Sequence, residues 1–250
     1  MGLHIKSKRP DGYHELETIF YPVDYCDVLE ILPSEELAFS SSGIAIPGDG
    51  NLCLDAYHLL KHDFDIPAVH IHLHKIIPIG AGLGGGSSDA AFTLKGLNEL
   101  FDLQLSNKQL RAYAVRIGAD CPFFIENKPM LATGIGEVLE PIDLDLSAYH
   151  IAIVKPDIHV STAAAYSGIV PKEPEHSLRD LIQVSIEKWQ VQNDFEQSVF
   201  VQYPAIEELK KSLYQQGAVY AAMSGSGSSV FGLFKSRPNL NCENSSVFLV

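Results

Sequence analysis

The chain has 250 residues, enough for one large domain or two small ones, and its 46% content of hydrophobic residues supports a packed core. Its formal net charge of −13 argues against nucleic acid and anionic membrane surfaces as partners, because both require basic patches. No apolar run approaches the roughly 18 residues of a membrane span, and the first residues show no apolar signal-peptide region, so we expect a cytoplasmic protein.

The spacing of apolar residues predicts an ordered series of elements in the first half of the chain. In chain order these are strands at 2–7 and 17–32 around a Pro-Asp-Gly turn, a helix at 51–61, a strand at 69–75, a helix after the glycines, a helix at 106–115 with Ser106 as N-cap, and a hairpin at 130–139.

The second half begins near residues 143–147, and we predict domains at 1–145 and 146–250. Its predicted elements are a strand at 149–154, a helix at 161–167 with Ser161 or Thr162 as N-cap, helices at about 178–188 and 204–216, and strands at 218–223, 229–235 and 246–250. Segregated strands and helices, without strict alternation, favour an α+β fold.

The most informative segment runs from Lys75 to Ala91, where an apolar strand leads into five glycines, two serines and a helical pattern. Glycine permits positive φ and lets a ligand approach the backbone closely. The following helix presents unpaired N–H groups and its positive dipole end to the loop. This arrangement predicts a phosphate site, and hence a bound nucleotide.

Other glycine motifs fit this segment less well. The P-loop requires a Lys-Ser or Lys-Thr pair after the glycines, which is missing here. Residues 80–85 match the dinucleotide pattern G-x-G-x-x-G, but that fold needs a second strand ending in an acid about 20 residues on, and the residues there have helical spacing. A plain glycine-rich turn stays open as a third interpretation.

Asp120 is the strongest candidate for an acid–base role, because a carboxylate among apolar residues is costly unless it is paired or used. It could accept the proton of a hydroxyl that attacks phosphorus. It could also cap a helix or accept a structural hydrogen bond, and the spacing alone favours that structural role.

Several other segments leave their role open. Tyr13 and His14 could clamp a ring, or belong to an ordinary surface loop. The strand face with His70, His72 and His74 fits an exposed face better than a zinc site. The Gly-Ser loop at 224–229 could admit a ligand to its backbone or form a hairpin turn. The four cysteines contain no C-x-x-C pair and are expected to be inert thiols.

Together these segments resemble the GHMP kinases, the family of galactokinase and of homoserine, mevalonate and phosphomevalonate kinases. Residues 78–91 resemble the family's phosphate loop, and residues 222–230 resemble its C-terminal glycine motif. Five segments narrow the resemblance to one member, from the non-mevalonate isoprenoid pathway, whose substrate carries a cytidine diphosphate group. They are residues 8–18, 82–91, 117–124, 160–166 and 193–196.

The resemblance implies two domains, an N-terminal phosphate-loop domain with a ribosomal-protein-like β-α unit and a ferredoxin-like C-terminal domain, with the active site in the cleft between them. It implies phosphoryl transfer from ATP, with Mg²⁺, to that small substrate. Asp120 would be the catalytic base, Tyr13 and Tyr166 would stack on the cytosine, and His14 would hydrogen-bond its edge. Ser87 or Ser88 would lie near Mg²⁺, and the ATP phosphates would be wrapped by Pro78, Ile79, Gly80, Ala81, Gly82, Leu83, Gly84, Gly85, Gly86, Ser87 and Ser88.

One departure from the family pattern concerns its first strand, roughly Ala-Lys-Ile-Asn-Leu, whose lysine pairs with the catalytic aspartate. The sequence given begins at Met1, just past that point, and Lys6 and Lys8 do not align with the lysine. Taken literally, the sequence is expected to have activity lower by several orders of magnitude. The alternative function is therefore an impaired or non-catalytic nucleotide-binding member of the family.

Overall fold

Strands and helices are distributed over two units that the chain enters more than once. In the computed structural model, which describes residues 1–48 and 50–250, unit 1 contains residues 1–24, 80–83 and 129–250, and unit 2 contains residues 25–79 and 84–128. These units follow spatial contacts, whereas the predicted boundary near residue 145 follows the order of elements along the chain, where a second half begins near residues 143–147, and it stays a prediction.

The strands of the described residues are β1 (Leu3–Lys8), β2 (His14–Phe20), β3 (Val28–Pro33), β4 (Ala38–Gly43), β5 (Val69–Lys75), β6 (Met130–Gly134), β7 (Val138–Pro141), β8 (His150–Pro156), β9 (Tyr220–Met223), β10 (Val230–Phe234) and β11 (Ser245–Leu249). The helices are α1 (Leu52–Asp63), α2 (Gly85–Leu100), α3 (Asn107–Ile117), α4 (Cys121–Glu126), α5 (Thr162–Ser167), α6 (Leu178–Leu181), α7 (Phe195–Gln202) and α8 (Pro204–Gln215), with a 3₁₀ turn at Ile186–Lys188. None of these helices combines the length and apolar character needed to cross a membrane.

Unit 2 is built on a three-stranded sheet of order β3-β5-β4. The central strand β5 is antiparallel to β3 and parallel to β4, and its alternation buries Val69, Ile71 and Leu73 on one face. These side chains share a core with residues of α1 and α2, including Leu60 and Leu94. The β5 strand therefore leads directly from a packed core into the glycine-rich run.

Unit 1 contains two antiparallel four-stranded sheets, of order β1-β2-β6-β7 and β11-β8-β10-β9. The second sheet packs against α7 and α8 through apolar residues such as Val154, Val199 and Leu213. The segregated elements confirm the α+β fold that the sequence predicts.

Two predicted elements are wrong in extent. The strand predicted at 17–32 is two strands in different sheets, because Pro22 interrupts the ladder and the chain passes from unit 1 to unit 2 after residue 24. The helix predicted at 178–188 is only the four-residue α6 and the 3₁₀ turn, separated by a stretch with the β-branched Ile182 and Val184. The sequence analysis also missed β4, α4 and α7.

Candidate active site

The glycine-rich run lies between the end of β5 and the start of α2 at Gly85, so the predicted strand-loop-helix order is confirmed. Gly80, Gly82 and Gly84 have φ of 65°, 74° and 69°, the left-handed region that glycine adopts without strain. Gly84 is the N-cap of α2, and no side-chain hydrogen bond caps this end of the 16-residue helix. The first N–H groups of α2 therefore suit an anion.

Within unit 1, the tip of the run at residues 80–83 contacts the Gly-Ser loop at 224–229. Ser224 Oγ donates a 2.7 Å hydrogen bond to the carbonyl of Gly82. The backbone N–H of Ser229 donates to the carbonyl of Ala81 over 3.1 Å. A Cβ on Gly82 would lie only 2.1 Å from the Ser224 carbonyl oxygen. The Gly-Ser loop thus supports the tip of the glycine-rich run, and the two backbones approach so closely only because Gly82 has no side chain.

The remaining predicted phosphate-loop residues differ in exposure. Ile79 is exposed, Ala81 is buried, and Leu83 packs at the edge of an apolar cluster of unit 1. Ser87 and Ser88 are half-buried in the first turn of α2, where the N–H of Ser88 donates to the carbonyl of Gly84. The predicted role of Pro78–Ser88 in binding phosphates stays a prediction.

A buried ion network, which the sequence analysis missed, holds both flanks of the run in unit 2. Lys75 Nζ lies 2.5 Å from Asp27 Oδ2 and 2.7 Å from Asp89 Oδ2. Asp27 Oδ1 also accepts the N–H groups of Ile76 (2.5 Å) and Ile77 (2.8 Å). Burial, opposed by Lys75, raises the pKa of Asp89 to about 6. The network joins the end of β5 to α2, and so fixes where the glycine-rich run leaves and re-enters unit 2.

Asp120 lies at the N-terminal end of α4, next to α2 in the same unit. Helix α4 meets the glycine-rich run closely, since a Cβ on Gly84 would lie 2.9 Å from Phe124 Cζ. Burial raises the pKa of the neighbouring Cys121 thiol to about 11, and a hydrogen bond with the Ser87 hydroxyl opposes that shift. Asp120 occupies the N-cap position of α4, but its side chain makes no capping hydrogen bond, and its role as catalytic base stays a prediction.

The Asp120 carboxylate lies in an environment that is unfavourable for its charge. The residue as a whole is exposed, while the protein atoms packed around its carboxyl group desolvate it and raise its pKa. A carboxylate that makes no capping bond and is more basic than usual suits proton abstraction from an alcohol.

The three residues predicted to bind the cytosine all lie in unit 1. His14 stacks on Tyr166 with ring centroids 4.8 Å apart and an interplanar angle of 22°. Burial, with a smaller effect of Lys8, lowers the pKa of His14 and so favours the neutral ring, which offers one N–H and one lone pair. Tyr13 is 60% exposed in the turn beside them. The structure thus pairs two of the three predicted rings.

The histidines of β5 form a hydrogen-bonded ladder with serines of β4. Ser40 Oγ lies 2.8 Å from both His70 Nε2 and His72 Nδ1, and Ser42 Oγ lies 3.0 Å from His72 Nε2 and 2.9 Å from His74 Nδ1. Among residues 1–48 and 50–250, no group of three or more His, Cys, Asp or Glu side chains is placed to hold a metal ion. His70 and His74 are exposed and His72 is half-buried, in agreement with the exposed strand face that the sequence favoured.

The comparisons with known proteins all match kinases. The family model described as GHMP kinases N terminal domain matches residues 51–128, and the one described as GHMP kinases C terminal matches residues 175–241. The 4-diphosphocytidyl-2-C-methyl-D-erythritol kinase of Bacteroides fragilis is 54% identical over 242 residues, which cover 94% of this chain and 88% of the relative. The kinase of the same name from Cytophaga hutchinsonii is 51% identical over 251 residues, covering 98% and 93%.

Solved structures agree with these relatives. A crystal structure of 4-(cytidine 5'-diphospho)-2C-methyl-D-erythritol kinase is similar with a TM-score of 0.78 and 34% identity, over 93% of this chain and 85% of that one. The homoserine kinase of Cytophaga hutchinsonii, at 17% identity and a TM-score of 0.64 over 94% and 85% of the two chains, shares the fold. The chain therefore belongs to the GHMP kinase family and is a kinase.

Proposed function

We propose that the protein transfers the γ-phosphoryl group of ATP to the 2-hydroxyl of 4-diphosphocytidyl-2-C-methyl-D-erythritol, in non-mevalonate isoprenoid biosynthesis. The observation that carries this proposal is the position of Asp120 on α4, which packs against the uncapped N-terminal turn of α2 in the same unit. An acceptor for a proton and donors for a phosphate are thus supplied by neighbouring helix ends. The names of the relatives support the choice of acceptor.

The chain's own groups account for each step of the transfer. Backbone N–H groups of the glycine-rich run and the first turn of α2 bind the phosphates and offset the charge of the transition state. Asp120 takes the proton of the acceptor hydroxyl as its oxygen forms a bond to the γ-phosphorus. The bond between that phosphorus and the β,γ-bridging oxygen breaks, and ADP keeps the electron pair. Positioning and charge neutralisation are the main requirements of this reaction.

The residues present fit a magnesium ion held with the phosphates. Mg²⁺ in kinase sites takes only one or two protein oxygens beside phosphate oxygens and water. The Ser87 and Ser88 hydroxyls lie half-buried in the first turn of α2, next to the proposed phosphate donors, and supply ligands of that type. The ion would neutralise phosphate charge there.

Recognition of the acceptor's base is assigned to Tyr13, His14 and Tyr166. The aromatic faces offer stacking, and the neutral His14 ring offers one donor and one acceptor for the polar edge of cytosine. These side chains suit a small molecule, and the net charge of −13 leaves nucleic acid an unfavourable partner. The four thiols are free, as suits a reducing cytoplasm.

A coupled ADP-release assay tests the proposal, with the full chain, Mg²⁺, ATP and 4-diphosphocytidyl-2-C-methyl-D-erythritol. Homoserine and mevalonate serve as competing acceptors, and phosphorus NMR of the product identifies the phosphorylated hydroxyl. Turnover with the cytidine substrate alone supports the proposal, and preferred turnover with another alcohol overturns the choice of acceptor. Nucleotide binding without any turnover would favour the non-catalytic alternative.

A matched pair of variants separates the proposed base from general effects of charge. Asp120→Asn removes the carboxylate at the site, whereas Asp143→Asn removes one from an exposed position in unit 1. The proposal expects turnover to be lost in the first variant and retained in the second. Equal turnover in both variants would remove Asp120 from the mechanism.

A further inference from the structure

The segment Asn193-Asp194-Phe195-Glu196 was informative in the sequence only as a family signature, and the proposed mechanism gives it no role. Asn193 is 3% exposed, and its Nδ2 donates to the carbonyls of Met223 (2.9 Å) and Gly225 (2.8 Å). Its Oδ1 accepts the N–H of Phe195 over 3.0 Å. Since both amide hydrogens and the oxygen are engaged, the Asn193 side chain has one orientation only.

The two carbonyls that Asn193 holds flank Ser224, the residue that supports the tip of the glycine-rich run. Ser224 Oγ donates to the Gly82 carbonyl, and the backbone of the same loop reaches Ala81 through Ser229. Asn193 therefore fixes the loop that in turn fixes the proposed phosphate-binding backbone. No part of Asn193 needs to touch a nucleotide for this effect.

Glu196 adds a second restraint on the same loop. Its Oε1 accepts the N–H of Met223 over 2.8 Å, and its Oε2 lies 2.6 Å from Lys210 Nζ. The backbone of Met223 is thus held on both sides of its Cα, at the N–H by Glu196 and at the carbonyl by Asn193. Two buried polar side chains hydrogen-bond to the backbone at the end of β9, which indicates that the position of this backbone has to be accurate.

The middle residues of the segment reach the proposed base-binding rings. Phe195 meets Tyr166 at a ring-centroid distance of 4.7 Å and an interplanar angle of 85°. Tyr166 in turn carries the stacked His14 ring. Asp194 Oδ2 accepts the N–H of Ile5 in β1 over 2.7 Å. Strand β1 pairs in turn with β2, the strand that contains His14.

We propose that Asn193–Glu196 is a positioning segment with two separable effects: Asn193 sets the phosphate-binding tip through Ser224, and Phe195 sets the base-binding ring pair through Tyr166. This inference rests on the proposed function for the identity of the two ligands. The separation follows from the contacts, because Asn193 holds the 223–225 backbone and Phe195 holds a ring. A residue needed only for folding would not affect the two ligands differently.

The test measures both ligands in each variant. Calorimetry gives the Kd of ADP, and steady-state kinetics gives the KM of the cytidine substrate, for Asn193→Ala and Phe195→Leu. A hydrogen bond to a charged group such as a phosphate contributes about tenfold or more to affinity, so we expect Asn193→Ala, which frees the backbone that supports the tip, to raise the Kd of ADP by about tenfold or more and to leave the acceptor KM within about twofold. Phe195→Leu should do the reverse. Gln197→Ala, at an exposed position of the same helix, is the control and should change neither.

The inference would be overturned if both variants changed the Kd of ADP and the acceptor KM by the same factor. A lower Tm with neither constant changed would overturn it as well. If Asn193→Ala fails to fold, Ser224→Ala breaks the next link while Asn193 stays in place, and an unchanged Kd of ADP there would refute the same step. A wild-type protein that binds ADP without turnover would contradict the proposed function, and the ADP measurements would still decide the role of Asn193.

Discussion

Replacing Gly82 by alanine tests the contact between the tip of the glycine-rich run and the Gly-Ser loop. The new Cβ would lie 2.1 Å from the Ser224 carbonyl oxygen and 2.9 Å from that of Gly227. A carbon and a carbonyl oxygen settle at about 3.3 Å or more, so one backbone has to move by about 1.2 Å. Both neighbours are backbone atoms, and a rotamer change cannot relieve the clash.

Gly82→Ala should lower both the stability of the protein and its affinity for ADP. Alanine at φ 74° loses about 1–2 kcal/mol of stability, which at this chain length lowers the Tm by about 2–8 °C. The displacement also breaks the bonds from Ser224 to Gly82 and from Ser229 to Ala81. A hydrogen bond to a charged group contributes about 1.5–3 kcal/mol, which is about tenfold to 100-fold in affinity, so we expect the Kd of ADP to rise by about that factor when the displaced backbone loses such a bond to a phosphate.

Gly217→Ala provides the control for backbone strain. Gly217 has φ 97°, and a Cβ there meets no atom within 4 Å, so this variant shares the strain and lacks the clash. Thermal melting and calorimetry with ADP, run on both variants, separate the two costs. If Gly82→Ala lowered the Tm only as much as Gly217→Ala and bound ADP like the wild type, the position of the tip would not depend on this close approach.

Four other substitutions have outcomes whose direction follows from the structure. Asp120→Asn should lower kcat by about 10²–10⁴, and because desolvation raises the pKa of Asp120, the neutral variant should melt at the same or a higher temperature. Lys75→Met leaves two buried carboxylates without their cation and should cost about 3–5 kcal/mol in urea unfolding. In the wild type, the Asp89 carboxyl has its pKa raised from 3.8 to about 6, so the folded protein binds more protons there than the unfolded chain. This group therefore lowers the free energy of unfolding as pH rises from about 4 to about 6. Asp89→Asn should fold and should lack this dependence of stability on pH. Tyr166→Leu should raise the acceptor KM without changing the ATP KM, as initial rates with each substrate varied would show.

Sequence reasoning found the parts of the site that depend on local pattern. The glycine-rich run lies between a strand of strict alternation and a helix of regular spacing, and both follow from nearest neighbours along the chain. The dinucleotide fold also has a helix after its glycines, but it then needs a strand, and the element that follows α2 here is the helix α3.

The parts that sequence reasoning missed depend on distant residues. Lys75 is separated from Asp27 by 48 positions, and nothing near either residue in sequence predicts their ion pair. Likewise, the bonds from Asn193 to Met223 and Gly225 span 30 and 32 positions. Helix α4 did leave a local signal, because Pro122 in the first turn is favourable there, but six residues are too few for a periodic pattern.

The architecture explains how a protein of net charge −13 is suited to a polyanion such as ATP. Residues 78–88 contain no charged side chain, so the donors proposed for the phosphates are neutral N–H groups and hydroxyls. Such donors need exact placement rather than charge, since each is effective only at hydrogen-bond distance. That requirement accounts for the supports around the run: the buried Lys75 network at its flanks and the Gly-Ser loop, itself held by Asn193, at its tip. The buried side chains of Lys75, Asp89 and Asn193 thus lie where the proposed binding backbone has to be held still.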